Sequence, residues 1–223
     1  MILSLLQKYW TILFILFNIL LILFDLALLI LPFRTLNILS NYNTILDYFK
    51  PIIYPIIICS GFLGLFSIFI GFIGIWKKKN LFIWMHIIGL IIATIIEISI
   101  SINSSVSNNQ YFKPANQSLW NSLQYYQKHP NYENQFDNLQ KDFQCCGVIS
   151  SKDYTKLVDY LPLSCEKGNQ LYLKGCSEAL YQYIQQSIML IVYICIAFAI
   201  FKAIYLTISI LVYRKSDKNN LPI

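Results

Sequence analysis

Four long apolar stretches dominate the hydrophobic pattern of this chain, and polar segments of unequal length separate them. Each stretch reaches the ~20 residues that a helix needs to cross the hydrocarbon core of a bilayer. The pattern predicts transmembrane helices at residues 10–31, 52–76, 81–102 and 187–213. The remaining segments are 1–9, 32–51, 77–80, 103–186 and 214–223. We therefore expect an all-α membrane protein with one short and one large polar loop on the same side of the membrane.

The second predicted helix carries small residues at a regular spacing. They alternate between intervals of four and three positions, at Ser60, Gly64, Ser67, Gly71 and Gly74. Small side chains let a neighbouring helix approach closely, and such packing drives helix association in lipid. The short connection at 77–80 requires the second and third helices to form an antiparallel hairpin. This face of the second helix is therefore predicted to be the tightest helix interface in the chain.

The large polar segment at 103–186 has helical rather than strand periodicity. Phe136, Leu139 and Phe143 recur at intervals that place them on one face of an amphipathic helix. His129-Pro130 precedes this helix and interrupts helical structure, because proline disfavours the helical conformation in the residue before it. We therefore expect a mainly helical segment in which one helix leads directly to Cys145.

Composition and charge define the protein class and its orientation. The chain is 57% hydrophobic and only 13% charged, whereas soluble domains are about a quarter charged. Its net charge of +6 is concentrated in the termini and in the segment at 77–80. The basic residues there are Lys8, Lys77, Lys78, Lys79, Arg214, Lys215 and Lys218. Since positive charge in short segments marks the cytoplasmic side, we expect both termini to be cytoplasmic, and the basicity does not indicate nucleic-acid binding.

Four of the six cysteines lie in the large polar segment. They are Cys145, Cys146, Cys165 and Cys176. Adjacent cysteines rarely bond each other because the ring is strained, so each of the first two is expected to bridge to one of the later two. Four cysteines allow three connectivities, and the sequence does not choose among them. The alternative, a zinc site, usually needs paired C-x₂₋₄-C or H-x₃₋₅-H ligands, which this segment lacks. Disulfides place the segment outside the cell or in a lumen.

The motifs of this segment resemble those of the large extracellular loop of tetraspanins. They are Cys145-Cys146-Gly147 after an amphipathic helix, Asp153-Tyr154, Pro162-Leu163-Ser164-Cys165, and Cys176 ahead of the last apolar stretch. The count of four helices extends the resemblance over almost the whole chain. Claudins and connexins also have four helices, but their cysteines lie in the first or in both outer loops, and residues 33–50 contain none.

The resemblance implies a disulfide framework and a function. The expected bridges are Cys145–Cys176 and Cys146–Cys165. The expected function is that of a non-catalytic scaffold that organises other integral membrane proteins, including further copies of itself, through its helices and large loop. Partner specificity is expected between Cys146 and Cys176. Membrane lipids are further contacts, and the location is the plasma membrane or endosomal membranes.

Polar residues inside the predicted helices are candidates for a functional site. Asn18, Asp25, Glu97 and Lys202 fall on the small or polar faces of their helices. With a rise of 1.5 Å per residue, Lys202 lies ~16 Å, Asp25 ~21 Å and Glu97 ~24 Å from the inner boundary. We therefore expect Lys202 to pair with Asp25, and Glu97 to be held by hydrogen bonds or kept protonated. His86, near the inner interface, is expected to extend towards the membrane surface.

Two features depart from the family pattern. Asn18 and Glu97 match positions that are polar in tetraspanins, but Lys202 stands where the family usually has Glu or Gln. Tetraspanins also carry palmitoylated cysteines next to the cytoplasmic face, whereas Cys59 and Cys195 fall in the outer halves of their predicted helices. We therefore do not expect acylation.

The sequence contains no pattern typical of a catalytic site. It lacks a Ser/His/Asp arrangement, a cluster of metal ligands and a glycine-rich phosphate loop, so we predict no enzymatic activity, cofactor, metal or small-molecule substrate. The alternative function is a small ion channel or transporter subunit that uses Asp25, Glu97 and Lys202.

Two sequons in the large segment predict a glycoprotein. They begin at Asn103 and at Asn116. Asn116 is the better candidate because Asn103 lies close to the predicted membrane boundary.

Overall fold

The computed structural model describes residues 2–46, 51–77, 79–106, 112–157, 160–168 and 170–218. Lys78 and residues 219–223, which belong to the predicted cytoplasmic segments, lie outside the described residues. Four described helices are long and apolar enough to cross a membrane. The predicted fold class, an all-α membrane protein with a disulfide-linked loop, is confirmed.

The secondary structure is mainly helical, with one short hairpin. The elements in chain order are α1 (Ile2–Ser40), α2 (Ile53–Lys77), α3 (Asn80–Val106), α4 (Phe112–Leu123), α5 (Pro130–Phe143), α6 (Lys152–Leu157), a 3₁₀ turn (Leu163–Cys165), β1 (Glu166–Lys167), β2 (Gln170–Leu171) and α7 (Cys176–Lys218). The two strands pair antiparallel, with Glu166 opposite Leu171.

The chain divides into two compact units. The helix bundle consists of Met1–Pro32, Ile53–Ser104 and Leu190–Ile223. The loop unit consists of Phe33–Ile52 and Ser105–Met189. The candidate residues inside the predicted membrane helices all belong to the bundle, and the cysteine motifs all belong to the loop unit.

Helices α1 and α7 extend beyond the predicted transmembrane segments. α1 continues through Pro32 to Ser40, so the segment predicted as a short loop at 32–51 begins as a helix. α7 begins at Cys176, well before residue 187. Hydropathy marks only the part of a helix rich in apolar residues, whereas backbone hydrogen bonding continues where polar residues replace them. The limits of the membrane-embedded parts stay predictions.

Helix α5 begins at the predicted break. Pro130 occupies its first turn and His129 is the extended N-cap residue, with φ −138° and ψ 117°. Phe136 and Leu139 lie fully buried on the face that the sequence pattern predicts. The helix ends at Phe143, and the left-handed conformation of its C-cap residue Gln144 (φ 50°) turns the chain into Cys145.

The small residues of α2 are buried against α1 and α3. A Cβ atom on Gly64 would lie 2.5–2.7 Å from the carboxyl atoms of Asp25 in α1. A Cβ atom on Gly71 would lie 2.9 Å from Cγ and Nδ1 of His86 in α3. The other members of this buried face are Ser60, Ser67 and Gly74. Because Gly64 and Gly71 have no side chain, α2 leaves room for the carboxyl group of Asp25 and the imidazole of His86.

We predict that Gly64→Ala destabilises the helix bundle. The new methyl group would overlap the Asp25 carboxyl group, and overpacking of this kind typically costs about 1–3 kcal/mol. Thermal unfolding of the purified protein in mild detergent measures the effect. Phe66→Ala, an exposed position on the same helix, is the matched control and should change the melting temperature less. Equal melting temperatures for Gly64→Ala and wild type would contradict the packing described here.

Candidate functional site

Two disulfides close the loop unit. Cys145 bonds Cys176, and Cys146 bonds Cys165. This is the pairing that the resemblance to tetraspanins implies. Backbone bonds reinforce the closure, because the Cys146 N–H donates to the carbonyl of Lys174 (2.9 Å) and the Cys176 N–H to that of Gly147 (3.0 Å). The segment between Cys146 and Cys176 is thus held at both ends by disulfides and backbone hydrogen bonds.

The turn after the cysteine pair depends on a glycine and a carboxylate. Gly147 has φ +67°, and a Cβ atom there would collide with the Ser150 carbonyl. Oδ2 of Asp153 accepts hydrogen bonds from the N–H groups of Val148 (3.1 Å), Ile149 (2.7 Å) and Ser150 (3.0 Å). A carboxylate with three backbone donors is a strong local constraint. Both residues belong to the motif identified in the sequence, and the structure assigns them the role of shaping this turn.

A polar network includes Ser164, the residue before Cys165 of the second disulfide. The Ser164 hydroxyl is within hydrogen-bonding distance of Asp137 Oδ1 (2.8 Å) and Gln140 Oε1 (2.6 Å). Tyr126 donates to Asp137 (2.7 Å), and Nε2 of Gln140 donates to the hydroxyl of Tyr154 (2.5 Å). Burial raises the pKa of both phenols above the ordinary range of tyrosine, and the bond to Asp137 adds to the effect at Tyr126. Both tyrosines therefore stay neutral and are available as donors.

The segment after α1 packs on α4 and α5, a contact that the sequence does not indicate. Oε1 of Gln135 accepts hydrogen bonds from the N–H groups of Thr44 (3.0 Å) and Ile45 (3.3 Å). The Ile45 carbonyl accepts from the hydroxyls of Ser118 (3.1 Å) and Ser122 (3.0 Å). Ile45 itself is fully buried. The two chain segments of the loop unit therefore pack against each other.

Large apolar side chains remain exposed on the segment between Cys146 and Cys176. Leu163 and Leu173 are each 89% exposed, and Ile149 is 58% exposed. Both leucines adjoin fixed backbone, because Leu163 precedes Ser164 of the polar network and the N–H of Tyr172 bonds the Cys165 carbonyl (2.9 Å). We refer to these three exposed residues together as the apolar loop surface.

Three charged residues of the helix bundle meet in its interior. Nζ of Lys202 in α7 donates to Oε1 of Glu97 in α3 at 2.7 Å and lies 4.0 Å from Oδ1 of Asp25 in α1. The ammonium group also stands 4.1 Å from the ring centroid of Phe198, which adds a cation–π contact. All three charged side chains are buried. The cluster therefore ties three helices together through one lysine.

The predicted pair of Lys202 and Asp25 is present as an ion pair, and Glu97 is a closer partner of the lysine than Asp25. The depth estimate favours Asp25, but the hydrogen bond is made to Glu97, and Asp25 lies only at ion-pair distance. Helical rise gives the height of a residue along the membrane normal but not which helix lies beside which. Lysine has a long, flexible stem, so a difference in height does not decide its partner.

A second polar cluster centres on His86, which is buried rather than directed to the membrane surface. Its Nδ1 lies 2.8 Å from the Ser67 carbonyl and its Nε2 lies 3.0 Å from the Tyr205 hydroxyl. Asn18 Nδ2 donates to the same hydroxyl at 3.2 Å and to the Phe14 carbonyl at 2.9 Å. The prediction for His86 is wrong because glycine at position 71 leaves space for the imidazole within the bundle.

Tyr205 is a polar residue of the bundle that the sequence analysis misses. It lies three positions after Lys202, on the same polar face of α7 as Ser209. Extending that face by the helical repeat would include it. The aromatic ring conceals the signal, since tyrosine counts as apolar in the pattern.

Other predicted site residues occupy separate positions. Asn103 is exposed at the end of α3, and Asn116 is half-buried in α4. Cys59 is exposed and Cys195 is buried, and neither forms a disulfide. Within the described ranges, no group of three or more His, Cys, Asp or Glu side chains is arranged to hold a metal ion.

Comparisons with known proteins agree with this architecture. The model of the tetraspanin family matches residues 10–215. The chain is 34% identical to the 25 kDa integral membrane protein of Schistosoma japonicum over 75% of each chain. It is 23% identical to leukocyte surface antigen CD53 of Bos taurus, over 68% of this chain and 67% of that protein. It is 24% identical to CD63 antigen of Mus musculus, over 61% of this chain and 64% of that protein.

The matched region runs from the first transmembrane helix through the cysteine motifs to the end of the last apolar stretch. The four long helices, the two disulfides and the turn at Gly147 all fall within it. This multi-pass membrane protein belongs to the tetraspanin family.

Proposed function

We propose that this tetraspanin organises other integral membrane proteins laterally, through the apolar loop surface and the lipid-facing sides of its helices, without catalysing a reaction. Family membership supports a scaffold role in general. The observation that carries the finer proposal is the exposure of Leu163 and Leu173 on a segment fixed by two disulfides.

The energetics of the apolar loop surface favour a protein partner. Full burial of a leucine side chain stabilises a contact by about 1.5–3 kcal/mol. Exposed apolar groups on a backbone that two disulfides already constrain lose less conformational entropy on binding than groups on an unconstrained segment, so the cost of ordering the loop in a complex is lower. Partners of the proposed type include membrane proteins with an apolar outer surface, and further copies of this chain.

The alternative of an ion channel or transporter subunit is not favoured. Family membership points to a scaffold. In the structure, Lys202 is engaged with Glu97 in the interior of the bundle. The cluster of Asp25, Glu97 and Lys202 therefore has a structural role as a contact between helices.

The proposed orientation places both termini and Lys77–Lys79 in the cytoplasm and the loop unit outside or in a lumen. The distribution of positive charge and the disulfides support it independently. A glycan on Asn116 would be added early, because the hydroxyl of Ser118 in its sequon is buried and bonded to the Ile45 carbonyl in the folded unit.

We predict that the double substitution Leu163→Asp/Leu173→Asp reduces partner capture. Placing two charges in an apolar contact should weaken it by at least about tenfold, equivalent to about 1.4 kcal/mol. Quantitative mass spectrometry of membrane proteins that co-purify with the tagged protein in mild detergent measures the loss. Folding should persist, because both side chains are exposed.

Tyr125→Asp is the matched control for this substitution. Tyr125 is 45% exposed and lies outside the segment between Cys146 and Cys176. The control should keep the wild-type set of partners. An equal loss in both variants would show general adhesion, and retention of partners by the double variant would remove the loop surface from the proposal.

We predict that proteases added to intact cells leave an epitope tag on the C-terminal tail uncleaved. The basic segments anchor the tail on the cytoplasmic side, so it is out of reach until the membrane is permeabilised. Immunoblotting of the tag before and after permeabilisation measures this. Cleavage of the tag in sealed cells would reverse the orientation.

A further inference from the structure

His86 is the centre of a hydrogen-bond chain that passes through all four helices of the bundle. It connects Asn18 in α1, Tyr205 in α7, His86 in α3 and the backbone carbonyl of Ser67 in α2. The ring of Phe14 in α1 also packs against His86, with 6.2 Å between the two ring centroids.

The acceptors along the chain fix the position of every proton. The Ser67 carbonyl accepts only, so Nδ1 of His86 carries the hydrogen that bridges their 2.8 Å separation. In a neutral imidazole Nε2 is then an acceptor, and the Tyr205 hydroxyl donates to it at 3.0 Å. Asn18 supplies the donor to the Tyr205 oxygen. The hydrogen bonds therefore all run in one direction, from α1 to α2.

The surroundings of His86 suit the neutral imidazole. Tyr205 on α7 is the titratable group in contact with it, while α1 presents Asn18 and Phe14, and α2 presents Ser67 and Gly71. The positive charge of Lys202 lies one helical turn from Tyr205 on α7. No carboxylate is among these contacts to compensate a positive imidazole.

A second proton on His86 would convert Nε2 from an acceptor into a donor. Two donors, from Asn18 and His86, would then be directed at the Tyr205 oxygen, and the tyrosine would lose the acceptor of its own proton. The bond between α3 and α7 would have to reverse its direction, and the hydroxyl hydrogen of Tyr205 would have to turn to another acceptor. Imidazole is the side chain that ordinarily changes charge near neutral pH.

We propose that His86 and Tyr205 form an acid-sensitive lock of the helix bundle. Neutral His86, protonated at Nδ1, holds α1, α2, α3 and α7 in one hydrogen-bonded chain, and addition of a proton to Nε2 reverses the His86–Tyr205 bond and displaces the Tyr205 hydroxyl hydrogen from its acceptor. His86 and Tyr205 are thus positioning residues, and the direction of the hydrogen bond between them depends on the protonation state of the His86 imidazole. The proposal is independent of which partners the loop unit binds.

The first test is nitrogen NMR of the full chain with ¹⁵N-labelled histidine in detergent at neutral pH. The chain has only two histidines, so His129→Asn assigns the remaining signals to His86. We expect the pattern of a neutral imidazole with hydrogen on Nδ1 and a bare Nε2. A signal pattern with hydrogen on Nε2, or on both nitrogens, would overturn the proposal, and this test requires no substitution in the bundle.

The second test compares melting temperatures between about pH 7.5 and about pH 5.5, the range in which imidazole ordinarily titrates. His86→Asn keeps a donor for Ser67 but cannot titrate or reach Tyr205. We expect acidification to lower the melting temperature of wild type by at least about 2–4 °C more than that of His86→Asn. His129→Asn, the same change at the exposed histidine, should keep the wild-type response. Equal acid responses of wild type and His86→Asn would overturn the lock.

Discussion

A buried lysine that requires a carboxylate is the constraint on which the helix bundle depends. An uncompensated charge near the centre of a membrane helix costs at least about 2.5–3.5 kcal/mol, and Lys202 has no exposed surface. Its 2.7 Å bond to Glu97 fixes α7 against α3. Because Asp25 lies 4.0 Å from the same ammonium group, α1 is drawn to this point as well.

The glycine pattern of α2 follows from the same constraint. Polar side chains take up space in the bundle, and α2 provides it by carrying Gly64 opposite Asp25 and Gly71 opposite His86. In lipid, where apolar surfaces gain little from meeting each other, hydrogen bonds and close packing decide which helix faces associate. The interior polar groups and the small residues are therefore two parts of one packing arrangement. The loop unit is held differently, by two disulfides and the backbone bonds around them.

Much of the architecture follows from local patterns in the sequence. The apolar stretches locate the four long helices, and His129-Pro130 locates the start of α5. The disulfide connectivity is different, because spacing leaves it open and only the family motifs imply it. Sequence reasoning fails where lateral placement decides the outcome. It ranks Asp25 above Glu97 as the partner of Lys202, because the height of a residue along its helix does not show which helix lies beside it. It also misses the packing of Ile45 on Ser118 and Ser122, because those contacts join segments that are distant in the sequence.

The pairing of Lys202 with Glu97 is tested most directly by a double-mutant cycle of Lys202→Met and Glu97→Leu, with unfolding measured in mild detergent. Lys202→Met leaves the buried Glu97 without its hydrogen-bonded partner, and Glu97→Leu leaves Lys202 with only the more distant Asp25. Breaking a buried ion pair typically costs about 3–5 kcal/mol. The account predicts that the double variant regains much of this loss, and that Asp25→Leu rescues Lys202→Met less well than Glu97→Leu does. Additive losses, or better rescue by Asp25→Leu, would contradict it.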